Sequence, residues 1–384
     1  MGRALRIGLY SPYFGATVGG GERHLCVAAE AVRDGFPAHQ VELIGSVPPD
    51  RGRYEQALRV HLGGIELRST NSRVTPVHRL ANRIGFLRPL RNLVLSRQAG
   101  RFTAGYDLFL AMVYRIPIHC SARRGVVLCQ FPHQLSDPRE LDGYQLIICQ
   151  SEYVRGWVQS RWGRDAIVIE PPIEIPSSAP DWRSKENLIL SVGRFFRSGH
   201  TKRQDVLVSA FRSLCDHGLR GWELHLAGMV HREGPHAGYY ESVVEAARGY
   251  PIVFHADASG AELDQLYRRA SIFWHAAGFG ADLGADPSAA EHFGMTTAEA
   301  MAWGAVPVVF AAGGQVEVVA GGAGSLWTTE AELRAMTLEL AAHPERRRGL
   351  GEAARRSVER YSAEAFKKRF REALAPLVAE LDQP

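Results

Sequence analysis

The sequence predicts an α/β protein of two doubly wound domains, and three observations carry that reading. Near the N-terminus a short apolar strand, a glycine-rich loop and a helix follow one another, at Leu5–Tyr10, Ser11–Gly21 and Glu22–Asp34. The same order recurs in the second half, as Leu188–Val192, the text SVGRF, and the helical stretch KRQDVLVSAFRSL that starts at Lys202. Strand, glycine loop and helix is the repeating unit of an open parallel sheet, and its loop turns backbone N–H groups toward an anion at the strand's C-terminal end. Finally, 384 residues exceed one ordinary core, and the chain suits two domains of about 150–200 residues each.

In the first half, the loop GATVGGGERH lacks both G-x-G-x-x-G and the Lys-Ser/Thr of a P-loop. A dinucleotide fingerprint and an ATPase are therefore disfavoured. Three glycines in a row fit a phosphate-facing loop and a plain flexible turn equally. Val41–Ile44, Ile65–Leu67, Asp107–Met112, Gly125–Cys129 and Leu146–Gln150 read as further short strands, and Ser151 reads as the N-cap of the helix in SEYVRGWVQSRWG. From Arg51 to Arg101 the chain holds eleven arginines against two acids, Glu55 and Glu66. Within it Val77, Leu80, Ile84 and Leu87 keep helical spacing. A basic amphipathic segment over 68–101 fits peripheral contact with an anionic membrane or guidance of a phosphorylated acceptor; it also fits a solvated basic face on a packed helix. The Pro- and Ser-rich stretch from Pro171 to Asn187 reads as the interdomain linker.

In the second half, Glu223–Ala227, Ile252–Phe254 and Ile272–His275 read as strands, with helices near Tyr239–Arg248 and in ELDQLYRRA. Trp274 and His275 read as packing residues. The stretch EHFGMTTAEAMAWGAVPVVF sets two carboxylates, Glu291 and Glu299, eight residues apart around a glycine turn and a short helix from Thr296 to Trp303. Loop, short helix and strand points a helix N-terminus at a bound anion, while carboxylates beside it accept hydrogen bonds from ligand hydroxyls. Phosphate with many hydroxyls describes a nucleotide sugar. The same letters also fit a plain capping box, Thr296 with Glu299, and a solvated loop acid at Glu291. Helices at Glu330–Ala342, Pro344–Arg360 and Ser362–Leu381 complete the chain.

Composition narrows the classes. A formal net charge of +4 is too small to argue for a nucleic-acid partner. Five cysteines without C-x-x-C or metal spacing read as reduced thiols of a cytoplasmic protein. The apolar run at the N-terminus is strand-length, without a signal peptide's longer core and cleavage site, and no run of 18 apolar residues exists. The expectation is a cytoplasmic protein, peripheral to the inner membrane face at most.

EHFGMTTAEAMAWGAVPVV resembles the E-x7-E motif of the retaining glycosyltransferases of family 4. VGGGERHL, SVGRF followed by Lys202, and ARRSVERYSAEAFKKRF occur in that family's order, so the resemblance spans nearly the whole chain. It implies the GT-B fold, two Rossmann-like doubly wound domains facing each other across a donor-binding cleft. The implied division is an acceptor-side domain at 1–175, a nucleotide-sugar-binding domain at 176–361 and a helix at 362–384 that crosses back to the first.

The resemblance also implies site roles. Gly20 and Gly21 close over the donor diphosphate, and Arg194 and Lys202 hold it together with the helix N-terminus formed by Phe293, Gly294, Met295 and Thr296. Glu299 takes the ribose hydroxyls and Glu291 the sugar hydroxyls. Where relatives carry a histidine near the donor sugar, this chain has Gln130 in CQFPHQLSD, which hydrogen-bonds but does not titrate; His133 follows three residues later as a substitute or a surface residue. Arg194 and Lys202 stand about three residues further apart than is usual, which makes Arg203 a stand-in for Lys202. Asp282 and Asp286 have neither metal-ligand spacing nor an Asp-x-Asp pair, so no metal is implied and a metal-dependent GT-A enzyme is disfavoured.

The implied activity moves a sugar from a nucleoside-diphosphate sugar, a co-substrate rather than a cofactor, to an acceptor hydroxyl with retention. The acceptor is a cell-envelope glycan, a glycolipid or a natural product. A GT-B sugar-nucleotide 2-epimerase is the nearest competing reading. A non-catalytic nucleotide-sugar-binding protein or an NAD-binding protein competes from another class.

Overall fold

The computed structural model describes residues 3–70, 100–114, 117–135 and 137–383. The basic segment singled out above lies largely outside the described residues, at 71–99. The chain divides into two compact units, Met1–Pro172 with Ala363–Pro384, and Ile173–Ser362.

Unit 1 is built on a parallel sheet in the order β3-β2-β1-β4-β5-β6-β7. Its strands are β1 (Arg6–Tyr10), β2 (Gln40–Gly45), β3 (Ile65–Ser69), β4 (Leu108–Val113), β5 (Arg124–Cys129), β6 (Leu146–Cys149) and β7 (Ile167–Val168). LFLAMV of β4 is buried at every position, the pattern of a strand covered on both faces. Helix α1 (Gly20–Gly35) follows the glycine loop, and α2 (Arg51–Leu58) is capped by Asp50, whose side chain accepts from the Arg53 N–H. Helix α3 (Glu152–Trp162) has Ser151 as its cap, accepting from the Val154 N–H.

Unit 2 carries a second parallel sheet, in the order β10-β9-β8-β11-β12-β13. Its strands are β8 (Leu188–Val192), β9 (Glu223–Gly228), β10 (Ile252–Ala256), β11 (Ile272–His275), β12 (Val306–Phe310) and β13 (Ser325–Trp327). The intervening helices are α4 (Gln204–Asp216), α5 (Tyr239–Ala246), α6 (Gly260–Arg269), α7 (Met295–Ala302) and α8 (Gln315–Val318), followed by α9 (Glu330–Ala342) and α10 (Pro344–Val358). Pro307 is tolerated in β12 because β13 pairs only from Val308 onward, so no ladder bond is lost at the proline. Trp274 is fully buried and donates its indole N–H to Thr337 Oγ1 at 3.2 Å.

The stretch read as a linker is mostly built into unit 2. Ile173 is fully buried beside Phe293, Met301 and Tyr361, and its N–H donates to the Tyr361 carbonyl at 2.9 Å. Further on, Lys185 Nζ donates to the Tyr267 and Ala270 carbonyls at the end of α6. The boundary between the units falls after Pro172, inside this stretch, and from Ile173 onward its residues belong to unit 2.

Helix α11 (Ala363–Asp382) belongs to unit 1. Phe366, Phe370, Leu374, Val378 and Leu381 recur every three or four residues, so one stripe of the helix enters the unit 1 core beside Leu25, Ala29 and Val32 of α1. The Lys367 ammonium pairs there with Glu30, a buried acid of α1, at 2.6 Å. No described helix is long and apolar enough to cross a membrane.

Candidate functional site

In each sheet the strand order reverses beside its first strand, between β1 and β4 and between β8 and β11. Such switch points, at the strands' C-terminal ends, are where open α/β sheets bind ligands.

Unit 2 gathers charged groups at its switch point. Glu291 is only 8 % exposed. Its Oε2 is ion-paired with Lys202 Nζ and lies 2.9 Å from His275 Nε2, while Oε1 lies 3.6 Å from His200 Nε2. His275 closes β11, and Lys202 sits in the loop that leads from β8 to α4. The Ala277 N–H donates to His275 Nδ1 at 3.3 Å, which puts the imidazole proton on Nε2, a buried donor with no hydrogen-bond partner among the described residues. His200 stacks flat on His292, with ring centroids 4.6 Å apart. Arg194, just past β8, is exposed, with its guanidinium over the Phe196 ring at 4.5 Å.

The electrostatics follow from burial opposed by charge. Burial alone would raise the Glu291 pKa, but Lys202, His200 and His275 together hold it well below the usual carboxylate range. Burial lowers Lys202, and Glu291 opposes that shift. Burial, reinforced by Lys202, holds His200 well below its ordinary value, so its ring is neutral. The result is a buried carboxylate kept charged chiefly by the Lys202 ammonium, with two imidazoles beside it.

The glycine turn delivers this carboxylate. Gly294 caps α7 with φ of 109°, and a Cβ placed there would stand 2.9 Å from the Gln315 amide. Met295 and Thr296 open the helix, so their N–H groups are among those left without intrahelical partners. Phe293 turns the other way: its ring is buried in the core, edge-on to Tyr361 at 5.1 Å, so only its backbone faces the turn's outer side. Because Gly294 and not Thr296 is the cap, and no side chain caps α7, the Thr296–Glu299 capping box is absent. Glu299 instead accepts from the Tyr267 hydroxyl at 3.0 Å. Burial and the neighbouring Glu299 charge push that phenol's pKa well above its ordinary value.

Two sequence expectations are corrected here. His275 is more than a packing residue, because its ring meets Glu291. Arg203 does not stand in for Lys202: it adopts a left-handed conformation (φ 52°) as the residue before α4, and its guanidinium pairs with Asp205 and donates to the Phe279 carbonyl. The longer spacing between Arg194 and Lys202 carries His200, which sequence reasoning overlooked; the added histidine was its only signal. Tyr267 had none beyond helical periodicity.

Unit 1 holds the other predicted residues. Gly20 and Gly21 form the first turn of α1, after the extended Gly19. A Cβ on Gly21 would stand 2.3 Å from the Tyr114 hydroxyl, so any larger residue there needs that ring to shift. Gln130 follows β5, and its amide nitrogen lies 3.5 Å from Nδ1 of His24, a buried α1 histidine that sequence reasoning did not single out. Burial pushes the His24 pKa down to about 4. The His133 carbonyl accepts from the Trp162 indole at 2.8 Å, which pins the loop to α3. Among the described residues no group of three or more His, Cys, Asp or Glu is placed to hold a metal ion.

Comparison with known proteins agrees with this layout. Residues 174–357 match the family model described as Glycosyl transferases group 1, which covers most of unit 2. No curated protein matches the chain in sequence. HepE of Anabaena, solved in complex with UDP and glucose, superposes with a TM-score of 0.67 at 16% identity, over 97% of this chain and 99% of that one. Sucrose-phosphate synthase from Thermosynechococcus elongatus gives a TM-score of 0.71 at 18% identity, over 98% and 100% of the two chains. The lipopolysaccharide outer core galactosyltransferase WaaB gives 0.63 at 16%, over 97% and 99%. The fold of the chain is therefore the GT-B fold of these glycosyltransferase structures, and its second unit matches the glycosyl transferases group 1 model.

Proposed function

We propose that the chain is a retaining, metal-independent glycosyltransferase of family 4, its Glu291 and Glu299 being the E-x7-E pair. It moves a hexosyl group from a nucleoside-diphosphate sugar to the hydroxyl of a cell-envelope glycan, glycolipid or natural-product acceptor, in the cytoplasm. The observation that carries this reading is the convergence of Lys202, Glu291 and the α7 N-terminus at the unit 2 switch point. HepE, similar in fold, was solved with UDP and glucose, which supports a nucleotide-sugar donor.

In this reading the departing diphosphate is stabilised by Arg194, Lys202, the N–H groups after Gly294 and those of Gly20 and Gly21. One preorganised donor of that kind is worth about 3–4 kcal/mol in rate. Glu299 binds the ribose and Glu291 the transferred sugar. The acceptor side belongs to unit 1, where Gln130 hydrogen-bonds without titrating.

The test is thermal unfolding with UDP, GDP, ADP, dTDP and NAD, each at about a hundred times a plausible Kd, where a true ligand adds about 2.7 kcal/mol. A shift with one nucleoside diphosphate and not NAD supports the reading; a shift with NAD alone overturns it. With the donor base known, transfer to hydroxyl acceptors after chelation of divalent ions, with the product's anomeric configuration read by NMR, tests metal independence and retention.

A further inference from the structure

We propose that His275 is a positioning residue for Glu291: its buried N–H holds Oε2 and keeps the carboxylate charged and aimed while Lys202 serves the ligand's diphosphate. The inference rests on the reading of unit 2 as a nucleotide-sugar site.

That site sets two demands on one cation. Lys202 is the cationic partner of Glu291 and also the cation assigned to the diphosphate. An arriving dianion draws the ammonium away from a carboxylate that is only 8 % exposed. A buried carboxylate that loses its partner is strongly disfavoured and takes up a proton. A protonated Glu291 no longer accepts two hydroxyl hydrogen bonds from a sugar.

His275 resolves the conflict by being a neutral donor. Its side chain is 1 % exposed and its Nδ1 accepts from the Ala277 N–H, so the ring neither turns nor changes tautomer. Its Nε2 therefore keeps the proton, stands 2.9 Å from Oε2 and has no hydrogen-bond partner of its own among the described residues. A small turn of the carboxylate lets it take that oxygen over as the ammonium leaves. An incoming phosphate competes for a cation but has little pull on a buried neutral N–H. The other groups facing Glu291 are less suited to the task. His200 is 3.6 Å from Oε1 and 3.4 Å from Lys202 Nζ, so it moves with the ammonium's field, and Arg194 and His292 act on the pair from further out. Oε1, whose one contact among the described residues is this longer one, is the oxygen left for ligand hydroxyls.

The experiment compares wild type with His275→Leu, which has no donor, and His275→Gln, which keeps an N–H in reach of Oε2. Without ligand, a double-mutant cycle in urea between His275→Leu and Glu291→Gln reads the coupling of the two side chains; additive effects overturn the proposal. With the nucleoside diphosphate found above, proton uptake on binding is measured by calorimetry in buffers of different ionisation enthalpy. Wild type and His275→Gln take up almost none near pH 7. His275→Leu takes up about one proton per site while its Kd for the diphosphate changes less than about twofold, and its kcat/KM falls about tenfold with the acid limb moved to higher pH. Equal proton uptake in all three, or a loss confined to diphosphate affinity, overturns the proposal. If wild type binds no nucleoside diphosphate, the transferase reading falls, and the ligand-free cycle still decides whether His275 holds Glu291.

Discussion

The Tyr267 hydroxyl donates to Glu299 Oε2 over 3.0 Å, so a buried phenol on α6 fixes the carboxylate that α7 presents. Glu299→Ala is expected to weaken binding of the bare nucleoside diphosphate by about ten- to a hundredfold, the worth of one or two hydrogen bonds to a charged group. Tyr267→Phe leaves the carboxylate in place but less fixed, and costs about two- to tenfold. Isothermal titration with the nucleotide alone measures both, and unchanged affinity in Glu299→Ala removes the ribose assignment.

Lys202→Met takes the cation from a buried carboxylate. Breaking such a pair costs about 3–5 kcal/mol when nothing else compensates. Here His275 and His200 remain within 2.9 and 3.6 Å, so the expected loss is about 2–3 kcal/mol in urea unfolding. The pH sign follows from the depressed Glu291 pKa: its stabilisation is present above the ordinary carboxylate range and is lost as pH falls. Lys202→Met should move that acid loss to higher pH, and adding Glu291→Gln should recover at least half of the stability. A double variant no more stable than Lys202→Met alone would refute the pairing.

His24 sets a second pH dependence, in unit 1. Its ring is buried edge-on to Phe366 at 5.2 Å, and its pKa falls to about 4. A base with a lowered folded pKa is neutral in both states above about 6.5 and is protonated first in the unfolded chain. Stability is therefore full above about 6.5 and falls as the pH drops toward about 4, by about 3 kcal/mol in all. His24→Gln should flatten the unfolding free energy between those limits; a profile identical to wild type contradicts the assignment.

Gly294→Ala tests the turn that presents α7. With φ of 109° and the Gln315 amide 2.9 Å from the new methyl, an alanine must strain the backbone or displace a buried amide. The expected cost is about 1–3 kcal/mol, or a drop in Tm of about 2–4 °C per kcal/mol for a unit of this size. Diphosphate affinity should fall with it, because the same movement turns the helix N–H groups away. An alanine variant with wild-type Tm and affinity rules out this role for the turn.

The sheets were the most legible part of the chain. β8 and β11 stand where their apolar runs predict, since a strand covered on both faces announces itself by composition. The paired acids Glu291 and Glu299, and the cations Arg194 and Lys202, were legible by spacing and resemblance. His275, His200 and Tyr267 were not, because each acquires its meaning from a partner distant in sequence; His275 and Glu291 are 16 residues apart and meet only once β11 and the turn before α7 are in place. Local composition did not show that Ile173, among prolines and serines, belongs to a core.

The placement of α11 has a consequence for the order in which the chain acquires structure during synthesis. Unit 1 takes its sheet from residues before 173 and its Phe366, Phe370 and Leu374 from residues after 362. The whole of unit 2 is translated between them, which at about 5–20 residues per second takes tens of seconds or less. Unit 2 is contiguous and has all its residues as soon as Ser362 is free of the ribosome. Unit 1, although begun first, waits with the apolar side of α1 uncovered. A chain cut off after Ser362 would hold one complete unit and one exposed hydrophobic face, the form with most need of a chaperone.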